Sequence, residues 1–344
     1  MAPRKDVASS RVDALDLLRL LAVLMVVFYH YGFWGPLSNG ISQVALPRIA
    51  AVAQYGFLGV PIFFVISGFV IAYTAEGRTA LEFGIARFSR IYPTYLFCMS
   101  LTFLAVLALG RPSFEVTGLQ WFANLFIAAP ALGQSYVDTS YWSLVIEVIF
   151  YAWIAVLMFV GLFPRRLDAI VLIWLAITLA IASTADGSGI RKLFIADDSG
   201  FFASGLLIYE YYRGRRDMRL FSLLALSVGT AAWQAVHKLQ TLGIHTGSSF
   251  DPRIVVAICL VSIGTIFLAT RIRRVPLPAG LILALGGLTY PFYLLHMQMG
   301  YVFYMATPGN AEWEIPVVVT AIAILSWAIW RFVERPAQRW TEAF

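Results

Sequence analysis

Apolar stretches of about 20 residues recur along almost the whole chain, separated by short polar and basic segments. A stretch of this length crosses the hydrocarbon core of a bilayer as a helix. The pattern therefore predicts an all-α integral membrane protein with about ten transmembrane helices. Their predicted limits are residues 12–33, 54–74, 90–109, 141–163, 167–184, 198–212, 219–236, 253–270, 281–305 and 314–333.

One further apolar stretch, residues 119–132, is short for a membrane span and contains Pro130. A segment of this length is typical of a re-entrant or interfacial element. The composition agrees with the membrane class, because only 13% of the residues are charged, against about 25% in soluble domains. We expect residues 1–344 to form a single transmembrane domain without a separate soluble domain.

The basic residues cluster at alternate ends of the predicted spans. With the N-terminus in the cytoplasm, the inner side receives most of them, as the positive-inside rule requires. The inner set is Arg4, Lys5, Arg11, Arg78, Arg87, Arg90, Arg165, Arg166, Arg213, Arg215, Arg216, Arg219, Arg271, Arg273, Arg274, Arg331, Arg335 and Arg339. The outer set is Arg48, Arg111, Arg191, Lys192, Lys238 and Arg253. Both termini are therefore predicted to be cytoplasmic, and the net charge of +6 reflects topology and not a nucleic-acid partner.

The first predicted span carries an arginine and a histidine in one apolar run. Arg19 and His30 are eleven residues apart, close to three helical turns, so their side chains share a face about 16 Å apart along the axis. A charged residue inside a membrane costs at least about 2.5 kcal/mol and is functional by default. The pair predicts a site where a long anionic ligand reaches a base. The alternatives are neutralisation of Arg19 by Asp16 and a histidine that lies at the outer interface.

The second and third spans carry further polar groups. Arg87 and Arg90 are three residues apart and share a helix face, where two guanidinium groups are able to bind phosphate. The alternative is a basic anchor at the inner end of the helix. Ser67 precedes Gly68 in the second span, and small residues there admit either a ligand or a neighbouring helix.

The fourth and ninth spans complete the set of candidate residues. Tyr141, Trp142 and Ser143 open the fourth span from the outer side, and Glu147 follows on the same face as Ser143. A carboxylate at that depth must pair, take up a proton or line an aqueous cavity. His296 falls near the middle of the ninth predicted span as a second intramembrane imidazole.

Other residue patterns exclude several kinds of site. Cys98 and Cys259 lie in apolar runs without metal-ligand spacing, so no metal is expected. The chain has neither a phosphate-binding P-loop nor an H-E-x-x-H motif. The remaining histidines, His237 and His245, are expected on the surface of an outer loop together with Lys238.

Taken in order, the polar motifs resemble those of the acyltransferase type 3 family of membrane proteins. The matching motifs are Leu15-Asp16-x-x-Arg19 through His30, Phe63-Phe64-x-x-Ser67-Gly68, Arg87-x-x-Arg90-Ile91-Tyr92-Pro93, Trp142-Ser143-Leu144-x-x-Glu147, Tyr293-Leu294-x-His296 and Phe332-Val333-Glu334-x-Pro336. The resemblance implies a ten-helix bundle in the inner (plasma) membrane. It also implies transfer of an acyl group, usually acetyl, from cytoplasmic acyl-CoA to a hydroxyl of a sugar, polysaccharide or related acceptor at the outer face.

The resemblance further implies a role for each matched residue. His30 is the expected catalytic histidine, and Arg19, Arg87 and Arg90 are expected to serve acetyl-CoA, the cosubstrate. Glu147 and His296 match motif positions and are predicted to take part in catalysis. We also predict substrate contacts for Ser67, Ser143, Tyr141 and Trp142. Both a direct transfer with His30 as general base and a histidine-acyl intermediate are compatible with these residues.

Two other classes of protein carry intramembrane charges. A transporter or proton-coupled flippase of a glycan or lipid-linked intermediate also places Arg, Glu and His inside the membrane, where they relay protons. A purely structural bundle is the weakest alternative, because it leaves the cost of burying these groups together unexplained.

Overall fold

The structure is a computed structural model that describes residues 12–38, 47–111, 113–183, 188–272, 274–306 and 313–342. Every regular element within these ranges is a helix. The helices are α1 (Asp13–Leu37), α2 (Ile49–Ala75), α3 (Ala80–Leu109), α4 (Gly118–Asn124), α5 (Trp142–Phe159), α6 (Leu167–Ala180), α7 (Gly189–Leu193), α8 (Ser199–Tyr212), α9 (Met218–Thr246), α10 (Pro252–Ala269), α11 (Ala279–Leu295), α12 (Gln298–Ala306) and α13 (Glu314–Arg339).

Seven of the described helices are long and apolar enough to cross a membrane, namely α1, α2, α3, α5 with its preceding turn, α9, α10 and α13. Helices α11 and α12 meet at a bend of 72° and together form an eighth candidate. The predicted all-helical membrane fold is confirmed. The count of ten stays a prediction, because α6 and α8 have only 14 residues each, or about 21 Å of helix.

Helix α3 begins at Ala80, well before the predicted limit at residue 90. A capping box fixes this start, because the Thr79 side chain accepts from the Glu82 N–H and the Glu82 carboxylate accepts from the Thr79 N–H. Pro93 lies inside the helix. Arg87 and Arg90 lower the mean hydropathy of the first part of α3. The apolar pattern alone therefore did not reveal the first turns of this helix.

Helix α9 extends to Thr246, past the predicted limit at residue 236. The prediction of an outer loop at His237, Lys238 and His245 is therefore wrong. All three residues lie on the helix, whose last turns carry more polar residues than its first turns. A Gly247 in the left-handed conformation (φ 65°) ends the helix, as is common at helix C-termini.

The ninth predicted span, residues 281–305, is not one continuous helix. It breaks between α11 and α12, and His296 lies at the break instead of inside a helix. Helix ends leave backbone N–H and C=O groups without partners in the helix. The break therefore places backbone hydrogen-bonding groups next to the His296 imidazole.

Residues 119–132 form no spanning helix, as predicted. They contain most of the short helix α4 and a 3-10 turn at Ala129–Leu132. The cytoplasmic location of both termini stays a prediction, and Arg4, Lys5 and Arg11, which support it, lie outside the described residues.

Helix α8 lies in the middle of the fold, with nearly all of its residues buried. Its backbone touches that of α2 through two glycines. A Cβ atom on Gly68 would collide with the backbone oxygen of Phe202, and a Cβ atom on Gly205 would collide with that of Val65. Small residues permit this close contact between membrane helices, so Gly68 serves helix packing while its neighbour Ser67 faces a cavity.

Candidate active site

The two intramembrane histidines singled out in the sequence contact each other. Nδ1 of His30 lies 3.0 Å from Nε2 of His296. The other nitrogen of His296, Nδ1, lies 2.6 Å from the backbone oxygen of Tyr293, which can only accept. With both rings neutral, His296 Nδ1 donates to this oxygen, and His296 Nε2 accepts from His30 Nδ1. Nε2 of His30 is then unprotonated and able to act as a base.

Two tyrosines fix the backbones of the two histidines. The Tyr31 hydroxyl donates to the backbone oxygen of His296 (2.7 Å), and the Tyr301 hydroxyl donates to that of His30 (2.9 Å). The backbone of His30 also begins a π-helical turn within α1, a local widening that is frequent at functional sites. Each histidine is therefore fixed by a tyrosine from the segment that carries the other.

Asp138, which the sequence analysis did not single out, connects the start of α5 to the break between α11 and α12. One carboxylate oxygen accepts from the N–H of Ser140 and the other from the N–H of Gln298, both at 2.8 Å. Burial raises the pKa of Asp138 to about 6. An Asp directly before the Thr139-Ser140 pair is a helix-capping pattern, and this was the signal in the sequence.

His30 lines a cavity of about 440 Å³ on the predicted outer side, called here the outer cavity. Its wall also includes Trp34, Trp142, Asp198 and Lys238. The buried Asp198 accepts from Lys238 Nζ at 2.5 Å. The cavity therefore combines aromatic surfaces with the paired Lys238 and with Lys192, an exposed cation in its wall.

A second cavity of about 100 Å³, the inner cavity, is lined by Arg19, Ser67, Arg87, Arg90, Ser143 and Glu147. Arg19 forms an ion pair with Asp16 at 2.8 Å, so the neutralisation considered from the sequence is present. Arg87 and Arg90 make no hydrogen bond or ion pair with any residue that the structure describes, and Arg87 Nε is buried without a hydrogen-bond partner. The inner cavity therefore holds two guanidinium groups whose N–H donors are not used by any described residue.

Glu147, predicted together with His30 and His296 to take part in catalysis, lies in a different cavity from His30. Its carboxylate accepts from Ser67 Oγ at 3.0 Å and from the Tyr151 hydroxyl. Glu147 lines the inner cavity, whereas His30 lines the outer cavity. The hydrogen bond to Glu147 explains why the polar residue Ser67 lies next to Gly68 in α2.

The aromatic residues before Glu147 differ in their surroundings. Trp142 is 41% exposed and faces the outer cavity. Tyr141 is fully buried, lines neither cavity and donates to the backbone oxygen of Leu294 at 3.3 Å. This hydrogen bond joins the turn before α5 to α11, and the substrate contact of Tyr141 stays a prediction. Ser143 Oγ lies 2.6 Å from the Tyr293 hydroxyl.

Shared wall residues connect the cavities in series. Val60 and Tyr293 line both the inner and the outer cavity. At its other end, the inner cavity shares Arg19 and Arg90 with a third cavity of about 350 Å³, the mouth cavity, near the ends of α1 and α13. The series thus extends from the mouth cavity to His30 through the inner cavity.

No group of three or more metal-ligating residues occurs in the part of the chain that the structure describes. Cys98 and Cys259 are both buried and free. The expectation that the protein uses no metal stays a prediction.

Comparisons with known proteins identify the family. A family model described as an acyltransferase domain matches residues 12–331. Nodulation protein 10 of Rhizobium leguminosarum bv. viciae is 25% identical, over 98% of this chain and 96% of that protein. The exopolysaccharide production protein ExoZ of Rhizobium meliloti (strain 1021) is 30% identical, over 70% of this chain and 75% of that protein. No solved structure matches the chain. The chain belongs to the acyltransferase type 3 family of membrane proteins that its motifs resemble.

Proposed function

We propose that this protein is an O-acyltransferase of the inner membrane that moves an acyl group, most simply acetyl, from cytoplasmic acyl-CoA to a hydroxyl of a polysaccharide at the outer face. The observation that carries the proposal is the contact between His30 and His296. It leaves His30 Nε2 as a proton acceptor in the outer cavity, and the adjoining inner cavity contains Arg87 and Arg90, whose N–H donors are unused by the described residues.

The proposed reaction begins when a hydroxyl of the acceptor approaches His30 Nε2 in the outer cavity. His30 takes the hydroxyl proton while the oxygen attacks the carbonyl carbon of the thioester. The new C–O bond forms and the C–S bond breaks, and the proton passes from His30 to the departing thiolate, which leaves as CoA thiol. His296 stabilises the charged His30 ring through the hydrogen bond at Nδ1.

The donor is proposed to occupy the mouth and inner cavities. Arg87 and Arg90 have unused donors, and guanidinium groups bind phosphate oxygens through charge-assisted hydrogen bonds. Asp16 neutralises part of the Arg19 charge, so Arg19 is assigned a weaker contact. The thioester end reaches His30 past Val60 and Tyr293, the residues that both cavities share.

The acceptor class is proposed from the relatives and the outer cavity together. One relative is named for exopolysaccharide production and the other for nodulation. Aromatic rings beside paired charges suit a sugar, because its ring carries apolar C–H faces and hydroxyls that both donate and accept.

The test uses the purified protein in detergent with [14C]acetyl-CoA and the envelope glycan of a strain that lacks the protein, stripped of its esters by mild alkali. Wild-type protein should label the glycan without a membrane potential. The His30→Ala variant should lose about 10²- to 10⁴-fold in turnover, the usual contribution of a general base. The control is His245→Ala, because His245 is exposed near the end of α9 and, among the described residues, hydrogen-bonds to a backbone oxygen of its own helix.

Full turnover by the folded His30→Ala variant would remove His30 from the chemistry. Absence of label with wild-type protein would reject the acyltransfer to a glycan, and a label that requires an ion gradient would favour the transporter. Peptide mapping of acid-quenched protein separates the two schemes, since an acetyl group on His30 indicates the covalent intermediate.

A further inference from the structure

The outer cavity continues sideways into a further cavity that has no part in the reaction described above. This side cavity has a volume of about 160 Å³ and shares Asp197, Lys238 and Thr241 with the outer cavity. Trp233 and His237 of α9 form its far wall. A ligand that occupies both cavities therefore extends from His30 along α9.

An aromatic surface stands in each of the two cavities. In the side cavity, the Trp233 and His237 rings are stacked, with centres 5.5 Å apart and planes inclined by 24°. Trp233 is 38% exposed, so part of its ring is open to a ligand. In the outer cavity Trp142 is 41% exposed, and Lys238 Nζ lies 5.9 Å from its ring centre. Lys238 thus stands between the two aromatic surfaces.

Most of the charged side chains in both cavities are paired, and Lys192, an exposed cation that lines the outer cavity, is the exception among the described residues. Lys238 pairs with Asp198 in the outer cavity, and Arg191 pairs with Asp197 in the side cavity. Paired charges still offer donors and acceptors at their edges, but they attract a free anion weakly. The arrangement suits neutral hydroxyl groups, which both donate and accept hydrogen bonds.

The side cavity is held open by buried hydrogen bonds. The Gln234 side chain is buried, accepts from the N–H of Gly200 at 3.1 Å and donates to the backbone oxygen of Ala196 at 2.7 Å. These bonds fasten the segment that carries Asp197 and Asp198 to α9. The wall of the cavity is therefore largely formed before a ligand arrives, as is usual for binding sites.

We propose that the side cavity is a second acceptor subsite, which binds the sugar unit next to the one acylated at His30, with Trp233 stacking on its ring. The acceptor is then a chain of at least two linked sugars and not a monosaccharide, a simple alcohol or a lipid. This inference rests on the proposed function, since it assigns the acceptor of that same reaction.

The test compares acceptors of different length made from the same polymer. The de-esterified envelope glycan is partly hydrolysed in dilute acid, and fragments of one, two, three and more units are separated by size. Each fraction is used with [14C]acetyl-CoA and the purified full-length protein. We expect kcat/KM to rise at least about tenfold from one unit to two or more, the effect of about 1.4 kcal/mol of added binding.

Variants of Trp233 assign this length preference to the side cavity. Trp233→Ala should lower kcat/KM for the longer fragments about tenfold, through KM, and leave single units and the KM for acetyl-CoA unchanged. Trp233→Phe should keep most of the preference, because it retains an aromatic ring. The control is Trp327→Ala on α13, whose ring is 43% exposed and lines none of the cavities described.

Equal use of single units and longer fragments by wild-type protein would overturn the inference. A length preference that Trp233→Ala leaves intact would also overturn it, and would reduce Trp233 to an aromatic residue at the membrane interface. Failure of the proposed function is a different result, because no fraction would then be labelled, including the intact glycan.

Discussion

The inner and outer cavities adjoin each other but differ in the state of their charged groups. In the inner cavity, Arg87 and Arg90 have no ion-pair partner among the described residues. In the outer cavity, Lys238 is already bound to Asp198. Guanidinium groups with unused donors bind phosphate oxygens well. This difference supports the proposal of an anionic donor in the inner cavity and a mostly uncharged acceptor in the outer cavity, where Lys192 is exposed at the wall.

The largest effect is expected from removing the unpaired cations. The double variant Arg87→Ala Arg90→Ala should raise the KM for acetyl-CoA about 100-fold, because each charge-assisted hydrogen bond contributes about 1.5 kcal/mol. The KM for the glycan should not change. Initial rates at varied concentrations of each substrate measure both constants.

The control for this variant removes the same charge outside the cavities. Arg78→Ala Arg219→Ala alters two exposed arginines and should leave both KM values unchanged. An equal rise in KM in the control would show that net basic charge attracts the donor and that the inner cavity does not select it.

In the outer cavity, a smaller effect on the reaction is expected from His296→Ala. This change removes the acceptor that His296 Nε2 offers to His30 Nδ1–H, and the loss of a partner by a buried donor costs about 1–3 kcal/mol. The kcat should fall about 10- to 100-fold, with both KM values retained. His296→Gln should recover part of the rate, because the amide is able to accept from His30 and donate to Tyr293.

A rise in the KM for acetyl-CoA in His296→Ala would contradict the proposal that the inner cavity binds the donor and the outer cavity holds the reacting groups. Equal losses in the Ala and Gln variants, with both proteins folded, would mean that His296 acts through something other than this hydrogen bond.

The smallest effect concerns stability and pH at Asp138. Burial raises the pKa of Asp138 to about 6, above its ordinary value of 3.8, so the folded state takes up this proton at a higher pH than the unfolded state. The contribution of this group to stability is therefore fully present below about pH 4 and is lost as the pH rises through 6. Asp138→Asn should remove this dependence.

Thermal unfolding of both proteins in detergent at pH 4.5 and pH 7 measures this contribution. Between pH 4.5 and pH 7, the Tm of wild-type protein should change more towards lower values than the Tm of Asp138→Asn. An identical change in both proteins would mean that other groups govern the pH dependence.

Ionisable residues inside the apolar runs were found in the sequence, because an ionisable side chain in such a run is conspicuous. Arg19, His30, Arg87, Arg90 and His296 all stood out in this way. The all-helical fold followed from the same contrast. Helix boundaries did not, because hydropathy reports where a chain is apolar, whereas capping groups such as Thr79 and Glu82 decide where a helix begins.

Residues whose side chains bind the backbone of another segment were not found in the sequence. Tyr31 and Tyr301 bind backbone oxygens, which are present at every position and leave no trace in a sequence. The pair Lys238 and Asp198 was also missed, because its members are 40 residues apart and Lys238 was expected in a loop. Tertiary contacts between distant helices, and not local pattern, determine these positions.

The wall of Val60 and Tyr293 between the inner and outer cavities has a consequence for the cell as well as for the enzyme. A continuous watery passage across a membrane would leak protons and other ions and dissipate the potential. In the proposed reaction, only the short acyl end of the donor has to pass the apolar side chain and the aromatic ring at this junction. The energy of a thioester would then reach the opposite side of the membrane without an open polar channel at this point.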